Sequence, residues 1–268
     1  MDKDTLRRVQ LELLDILIEI DRVCKKNNIQ YFLDSGTLIG AVRHKGFIPW
    51  DDDLDVGMLR EDYNKFCQIA PKELGTRFFW QTWDTDPHYA IPFGKVRKRG
   101  TLYVEKKSRE LAENGFYVDI LPYDYAPNDE KERTKMKIKQ KILFRCMLMK
   151  EGYRPWVDSQ HIDIKKRIGY VPFSIAALLM SRQSIIAKYK ETIDGVSDRD
   201  LVYEQTGKKY YKASWMQKTV PVVFEGLSFP AVDHYHDWLT TAYGDYMTPP
   251  PVEERENRHL IYKLDFGE

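Results

Sequence analysis

The 268-residue sequence predicts an α/β (α+β) fold: a mixed sheet with flanking helices and a mostly helical insertion. Three observations predict it. Strand-like and helix-like periodicities alternate over residues 1–125, a basic stretch rich in helix formers runs from Lys131 to Lys190, and strand patterning returns in "VVFEGLSFPAV". With 43% hydrophobic and 13% aromatic residues the chain can bury a core, as one large domain or two small ones. We divide it into an α/β core over 1–127, a helical insertion over 128–215, and a part over 216–268 that completes the core.

Taken in order, Leu6, Val9, Leu13, Ile16, Ile20 and Val23 recur at steps of three and four, which predicts an amphipathic helix from Thr5 to Lys26, ended by "KKNN". "IQYFLDSG" reads as a short strand and "TLIGAVRHKG" as a short helix closed by Gly46. "DLDVGML" follows as a second strand, then "REDYNKFCQIAPKEL" as a helix stopping around Pro71. "FFWQTW", "FGKVRKRGTLYVE" and "GFYVDILPY" are aromatic or apolar strands. Past the helical region, "VVFEGLSFPAV" predicts a hairpin with Gly226 and Ser228 near its turn. A helix over Asp233 to Tyr243 precedes "GDYMTPPPVEERENRH", whose three successive prolines favour an extended tail.

A formal net charge of +1 argues against a nucleic-acid binder. Cys24, Cys67 and Cys146 are odd in number and far apart, which fits neither a disulfide framework nor a zinc site and points to a reducing compartment. "MDKDTLRRVQ" lacks the apolar core of a secretion signal, and no apolar run approaches the roughly 20 residues of a membrane span. The expected location is the cytoplasm, with the inner face of the plasma membrane as a candidate place of work.

"GFIPWDDDLDVGM" sets Asp51, Asp52, Asp53 and Asp55 within five positions among apolar neighbours. Like charges that close repel, so a positive partner is expected. On a strand, Asp53 and Asp55 share one face and Leu54 and Val56 the other; two such carboxylates suit Mg²⁺ or Mn²⁺. Asp119, embedded among Phe116, Val118, Ile120 and Leu121, supplies a third. The competing readings are a solvated acidic turn at the cluster, and an Asp119 that caps a turn or pairs with Lys95 or Arg97. A calcium loop fails on Val56, where glycine is required, and on Asp62, where a bidentate Glu is usual. Upstream, "LDSGTLIGAVRHKG" offers a strand, a glycine turn and a helix: Gly36 admits close backbone approach, and the helix start favours an anion, though an ordinary helix cap reads the same way.

"DSGTLIGAVRHKGFIPWDDDLDVGM" closely resembles the signature block of the LicD family of phosphocholine transferases, relatives of the fukutin proteins. "GFYVDILPYD" resembles the family's second acidic strand and "TAYGDYMTPPPVEER" its C-terminal block, so that the resemblance spans about residues 6–125 and 218–260. It implies a nucleotidyltransferase-like catalytic core with Asp53, Asp55 and Asp119 as catalytic metal ligands. It also implies transfer of phosphocholine or a related phospho-alcohol from CDP-choline or another CDP-alcohol to a sugar hydroxyl of a teichoic acid, surface polysaccharide or lipid-linked oligosaccharide, with release of CMP. The alternatives are an NTP-dependent nucleotidyltransferase and a non-catalytic binding module of the same fold.

Around this set, Gly36 and Thr37 are candidates for holding a phosphate, and Lys95 and Arg97 for contacting the diphosphate, with Lys98 on the opposite strand face. Arg43 and His44 end the short helix as phosphate contacts or as cations capping it. Arg255, Arg258 and His259 follow the proline tail and are placed to fold over the site. Choline is held by aromatic faces; Trp50 stands out beside the acids, whereas Trp80, Trp83, Trp215 and Trp238 read as core. "EKERTKMKIKQKILFRCMLMK" with "VPFSIAALLM" is either a solvated helix face plus a buried segment or a peripheral membrane contact.

Overall fold

The computed structural model describes residues 1–105, 112–157, 162–205, 207, 209–255, 259 and 261–267. Helix α1 (Lys3–Lys26) starts where the Asp2 carboxylate accepts from the Thr5 N–H and ends with Lys25 and Lys26 at its negative pole. Its apolar stripe, Val9, Leu13, Ile16, Ile20 and Val23, is buried in the main core. From the same helix Glu12 and Asp15 reach Lys98 at 2.5 and 2.9 Å.

The main sheet is built on β6 (Tyr117–Ala126). On one side β2 (Asp55–Leu59) runs parallel to it, with β1 (Phe32–Leu33) antiparallel beyond. On the other side the first half of β6 pairs antiparallel with β4 (Gly94–Lys98), which pairs with β3 (Phe78–Gln81). The second half of β6 pairs with β7 (Leu201–Glu204) and through it with β8 (Tyr211–Lys212). Strands β5 (Leu102–Glu105) and β11 (Ile261–Asp265) form a two-stranded ribbon, as do β9 (Thr219–Phe224) and β10 (Leu227–Val232). The β9–β10 turn is Glu225-Gly226, both at positive φ (52° and 75°), the backbone a tight hairpin requires.

Helices α2 (Ser35–His44), α3 (Arg60–Glu73) and α8 (Tyr235–Tyr243) accompany the sheet. Helices α4 (Glu130–Lys150), α5 (Ile164–Gly169), α6 (Val171–Leu179) and α7 (Arg182–Asp194) form the helical part. Leu143, Met147, Ile185, Ile186 and Tyr189 gather there into a second core with Trp83 and Tyr89. The helical stretch stops at Asp194, and β7 and β8 return to the sheet.

Local chemistry moved several boundaries. Lys45, at φ 62°, takes the left-handed position that ends α2. Gly46 serves another purpose: a Cβ there would run into the Glu225 carboxylate, which accepts from the Phe47 N–H at 3.1 Å. Gly100, at φ 75°, divides "FGKVRKRGTLYVE" into β4 and β5. β2 begins at Asp55, so Asp53 lies in the preceding loop and its position is set by that loop rather than by strand alternation. All three cysteines are free. Among the described residues no single helix is long and apolar enough to cross a membrane.

Candidate active site

Sheet register brings three charged residues into one row. Asp55 is the cross-strand partner of Asp119, and Asp119 that of Lys95. Adjacent strands lie about 4.8 Å apart, so these side chains rise side by side from one face. Lys95 Nζ stands 2.5 Å from Asp119 Oδ1 and 3.5 Å from the centre of the Tyr117 ring. The contact is an ion pair without a well-directed hydrogen bond, and Asp119 Oδ1 is otherwise buried and unpartnered. Desolvation pushes the Asp119 carboxyl up, with Lys95 pulling against it. Asp55 is driven well above the usual carboxylate range, first by desolvation and then by the fields of Asp53, Asp119, Asp34 and Asp51.

The backbone of Asp55 is fixed from α2. Its N–H donates to Thr37 Oγ1 at 2.9 Å, and its carbonyl accepts from the Asp34 N–H at 3.1 Å. Thr37 is itself buried, and its hydroxyl, the candidate for holding a phosphate, accepts from the Asp55 backbone. Above Gly36 the space a Cβ would fill is taken by Asp51 Oδ2, at 2.8 Å. Glycine at this position therefore admits a carboxylate of the chain itself.

The run of aspartates divides its labour. Asp52 is fully buried; Tyr103 Oη donates to its carbonyl at 3.0 Å and to Oδ2 at 3.2 Å, and His259 Nδ1 lies 3.0 Å from Oδ1. Burial would push the His259 imidazole down, but the Asp52 hydrogen bond and the charges of Asp53 and Glu105 outweigh it and raise it to about 9. The C-terminal segment is thereby tied to the acidic loop. Sequence reasoning missed two acids. Asp34 caps α2, accepting from the Ser35 N–H at 2.7 Å and from Tyr123 Oη at 3.0 and 2.9 Å; burial and then Glu204 push it up to about 7. An aspartate directly before Ser-Gly-Thr was the available signal. Glu105, held by Tyr117 Oη at 2.6 Å, had none.

Asp119, Lys95, Arg97, Glu105 and His259 open onto a cleft of about 350 Å³. Tyr89, Phe93, Tyr117 and Tyr153 supply aromatic walls, and Leu148, Arg154 and Pro155 close it from the helical side. Arg97 is largely spent on structure: Nε donates to Gln81 Oε1 at 2.5 Å and Nη1 to the Gly115 carbonyl at 2.7 Å, with its guanidinium 4.8 Å from the Tyr117 ring centre. Arg43 and His44 lie outside this cleft's lining. Arg43 donates to His44 Nε2 at 2.9 Å and to the Tyr246 carbonyl at 2.6 Å. Arg255 sits 5.2 Å from the Trp50 ring centre, so a protein cation occupies the aromatic face singled out for choline. Trp80, Trp83 and Trp238 are buried, as core residues should be, whereas Trp215 is only half-buried and stacks on His234. Arg258 lies outside the described residues.

Among the described residues, no three His, Cys, Asp or Glu side chains form a ready-made metal cage. The acids whose fields act on Asp55 nonetheless offer only carboxylate oxygens, which suit Mg²⁺ or Mn²⁺, and the repulsion at Asp55 and an Asp119 Oδ1 that has an ion pair but no hydrogen bond are what a cation relieves.

Residues 28–160, which carry every member of this row, match the family described as LicD/FKTN/FKRP, nucleotidyltransferase domain. Over 97% of its length the chain is 33% identical to the lipopolysaccharide cholinephosphotransferase LicD of Haemophilus influenzae, covering 98% of that protein. The chain belongs to the LicD family. A shorter similarity, 39% identity over 54 residues, links it to the ribitol 5-phosphate transferase FKRP of mouse and human, covering 20% of this chain and 11% of that protein. An uncharacterized protein of Rickettsia typhi is 51% identical over 69 residues, 25% of this chain and 22% of that protein. Family membership and the mixed α/β architecture thus agree with the expectations drawn from the signature block.

Proposed function

We propose that this LicD-family protein is a metal-dependent phosphotransferase that moves phosphocholine, or a related phospho-alcohol, from a CDP-linked donor to a sugar hydroxyl of a lipopolysaccharide, teichoic acid or other surface glycan. The observation that carries the reading is the row Asp55–Asp119–Lys95, of which Asp119 and Lys95 line a cleft with aromatic and cationic walls while Asp55 stands beside Asp119 on the neighbouring strand. The similarity to a cholinephosphotransferase along nearly the whole chain supports it.

Asp53, Asp55 and Asp119 would hold Mg²⁺ or Mn²⁺, which when bound supplies charge neutralisation on the donor diphosphate and the leaving CMP. Lys95, braced between Asp119 and the Tyr117 ring, presents a fixed positive charge to the phosphoryl group; Arg97 shapes the cleft floor and adds a second. Asp119 has two roles open to it: to complete the metal set, or, left off the metal, to take the proton of the acceptor hydroxyl. The sugar oxygen bonds to the phosphorus that carries the alcohol, the phosphorus–oxygen bond to CMP breaks, and CMP departs with that electron pair. Thr37 and Gly36 act through the acids they position, by the Asp55 backbone and the Asp51 carboxylate.

The test is to incubate the protein with Mg²⁺, CDP-choline, CDP-ribitol or CDP-glycerol, with and without deacylated lipopolysaccharide, and to measure CMP. Acceptor-dependent CMP release from one donor is expected; no CMP from any of them sinks the reading. The matched domain's description as a nucleotidyltransferase favours a second reading, attachment of a nucleotide from an NTP to a small acceptor. Pyrophosphate in place of CMP would select it.

A further inference from the structure

The helical part carries a surface that the transfer reaction does not use. Helix α6 is apolar on both sides. Its inner side, with Phe173, Ala176 and Met180, packs on the second core, while Val171, Ile175, Leu178 and Leu179 recur at steps of three and four on the outer side. Leu178 and Leu179 are 84% and 83% exposed, and Ile164 and Ile168 of neighbouring α5 are 67% and 64% exposed. An apolar face this continuous is rare on the surface of a soluble chain and marks an interaction site.

Charge identifies what covers it. Lys165, Lys166 and Arg167 are all exposed on α5, and the stretch 162–181 contains a single acid, Asp163, whose carboxylate is engaged in capping α5 at Lys166 N–H. Trp156 and Tyr170 meet with ring centres 5.8 Å apart beside this face, the residue types that favour the boundary between hydrocarbon and water. Nine residues of α6 span about 14 Å at 1.5 Å per residue, half a hydrocarbon layer or less, so the helix has the length to lie on a bilayer and not to cross it.

We propose that the outer face of α5 and α6 docks on an anionic phospholipid bilayer, with Leu178, Leu179, Ile164 and Ile168 entering the acyl boundary and Lys165, Lys166 and Arg167 meeting lipid phosphates. The chain between α4 and α5 contributes Tyr153, Arg154 and Pro155 to the cleft, so docking on this face sets the cleft beside the membrane, where a lipid-borne acceptor is presented.

The experiment is sedimentation of the full chain with vesicles of phosphatidylcholine and phosphatidylglycerol at 70:30, against pure phosphatidylcholine, at low and high salt. Binding to the anionic vesicles that falls with salt is expected. Lys165→Glu with Lys166→Glu should weaken it about 25-fold or more, at about five-fold per lost charge. Leu178→Ser with Leu179→Ser should weaken it at least about ten-fold per leucine. Both pairs are exposed, so the circular dichroism spectrum and thermal midpoint should stay unchanged, and the readout is independent of which group the protein transfers. Absence of wild-type binding at low salt overturns the proposal, as does undiminished binding by both double variants. A wild-type dimer in light scattering that the leucine variant makes monomeric, without vesicle binding, assigns the face to a second copy and overturns it equally.

Discussion

Asp119 and Asp124 sit on the same strand, β6, and both interrupt an apolar run, yet the chain treats them in opposite ways. Asp124 is saturated: Arg60 donates from Nε at 2.5 Å and from Nη2 at 2.9 Å, and Gln205 adds a third hydrogen bond at 2.8 Å. Asp119 has one lysine, an acidic cross-strand neighbour and an open cleft. A buried carboxylate whose lone pairs the protein itself satisfies holds the fold together, whereas one left among other acids is kept for something brought from outside.

The strongest way to break this comparison is to neutralise each acid in turn. Asp119→Asn should lower acceptor-dependent CMP release by about 10³-fold or more while the thermal midpoint changes less than in Arg60→Met, because the repulsion from Asp55 that it removes offsets the lost ion pair with Lys95. Comparable activity in wild type and variant would remove Asp119 from the site. Arg60→Met should do the reverse: by leaving Asp124 buried and uncompensated it should cost about 3–5 kcal/mol in denaturant unfolding, with little change in turnover per folded molecule.

Lys95→Met tests the intermediate case, since Lys95 balances Asp119 and faces the cleft as well. A loss of about 10- to 100-fold in activity is expected, with stability altered less than in Arg60→Met. The smallest effect belongs to the His259–Asp52 tie. Because the folded imidazole is raised from its ordinary value of 6.5 to about 9, its stabilisation is fully present below pH 6.5 and disappears as pH climbs through 9. His259→Gln should therefore lower the thermal midpoint at pH 6 by the equivalent of on the order of 1 kcal/mol, discounted for partial exposure, and by nothing near pH 10. A gap between the two proteins that stayed constant over this range would rule the tie out.

These outcomes separate what was legible in the sequence from what was not. The α1 stripe, the acidic strand β2 and the lone acid in "GFYVDILPY" were readable because periodicity reports which side of an element is buried. The opposite orientation of Lys98 was readable too, and it points to Glu12 and Asp15 of α1. The end of α2 at Lys45 and the break at Gly100 were misplaced, because a left-handed residue is decided by how the following segment must leave. Asp53, which alternation assigns to the strand, precedes its first residue by two positions.

By its residue types and their spacing, the sequence determined that acids would cluster on an α/β scaffold, that three of them would be candidates for one site, and that the chain would resemble the LicD family. Only the tertiary structure decided which acid has a partner. It gave Asp52 a histidine from the far C-terminal segment, Asp124 an arginine from α3, and Asp55 other carboxylates. The reason is physical: local pattern encodes which face turns inward, but the charge that meets a side chain there is supplied by strand register and by segments distant along the chain.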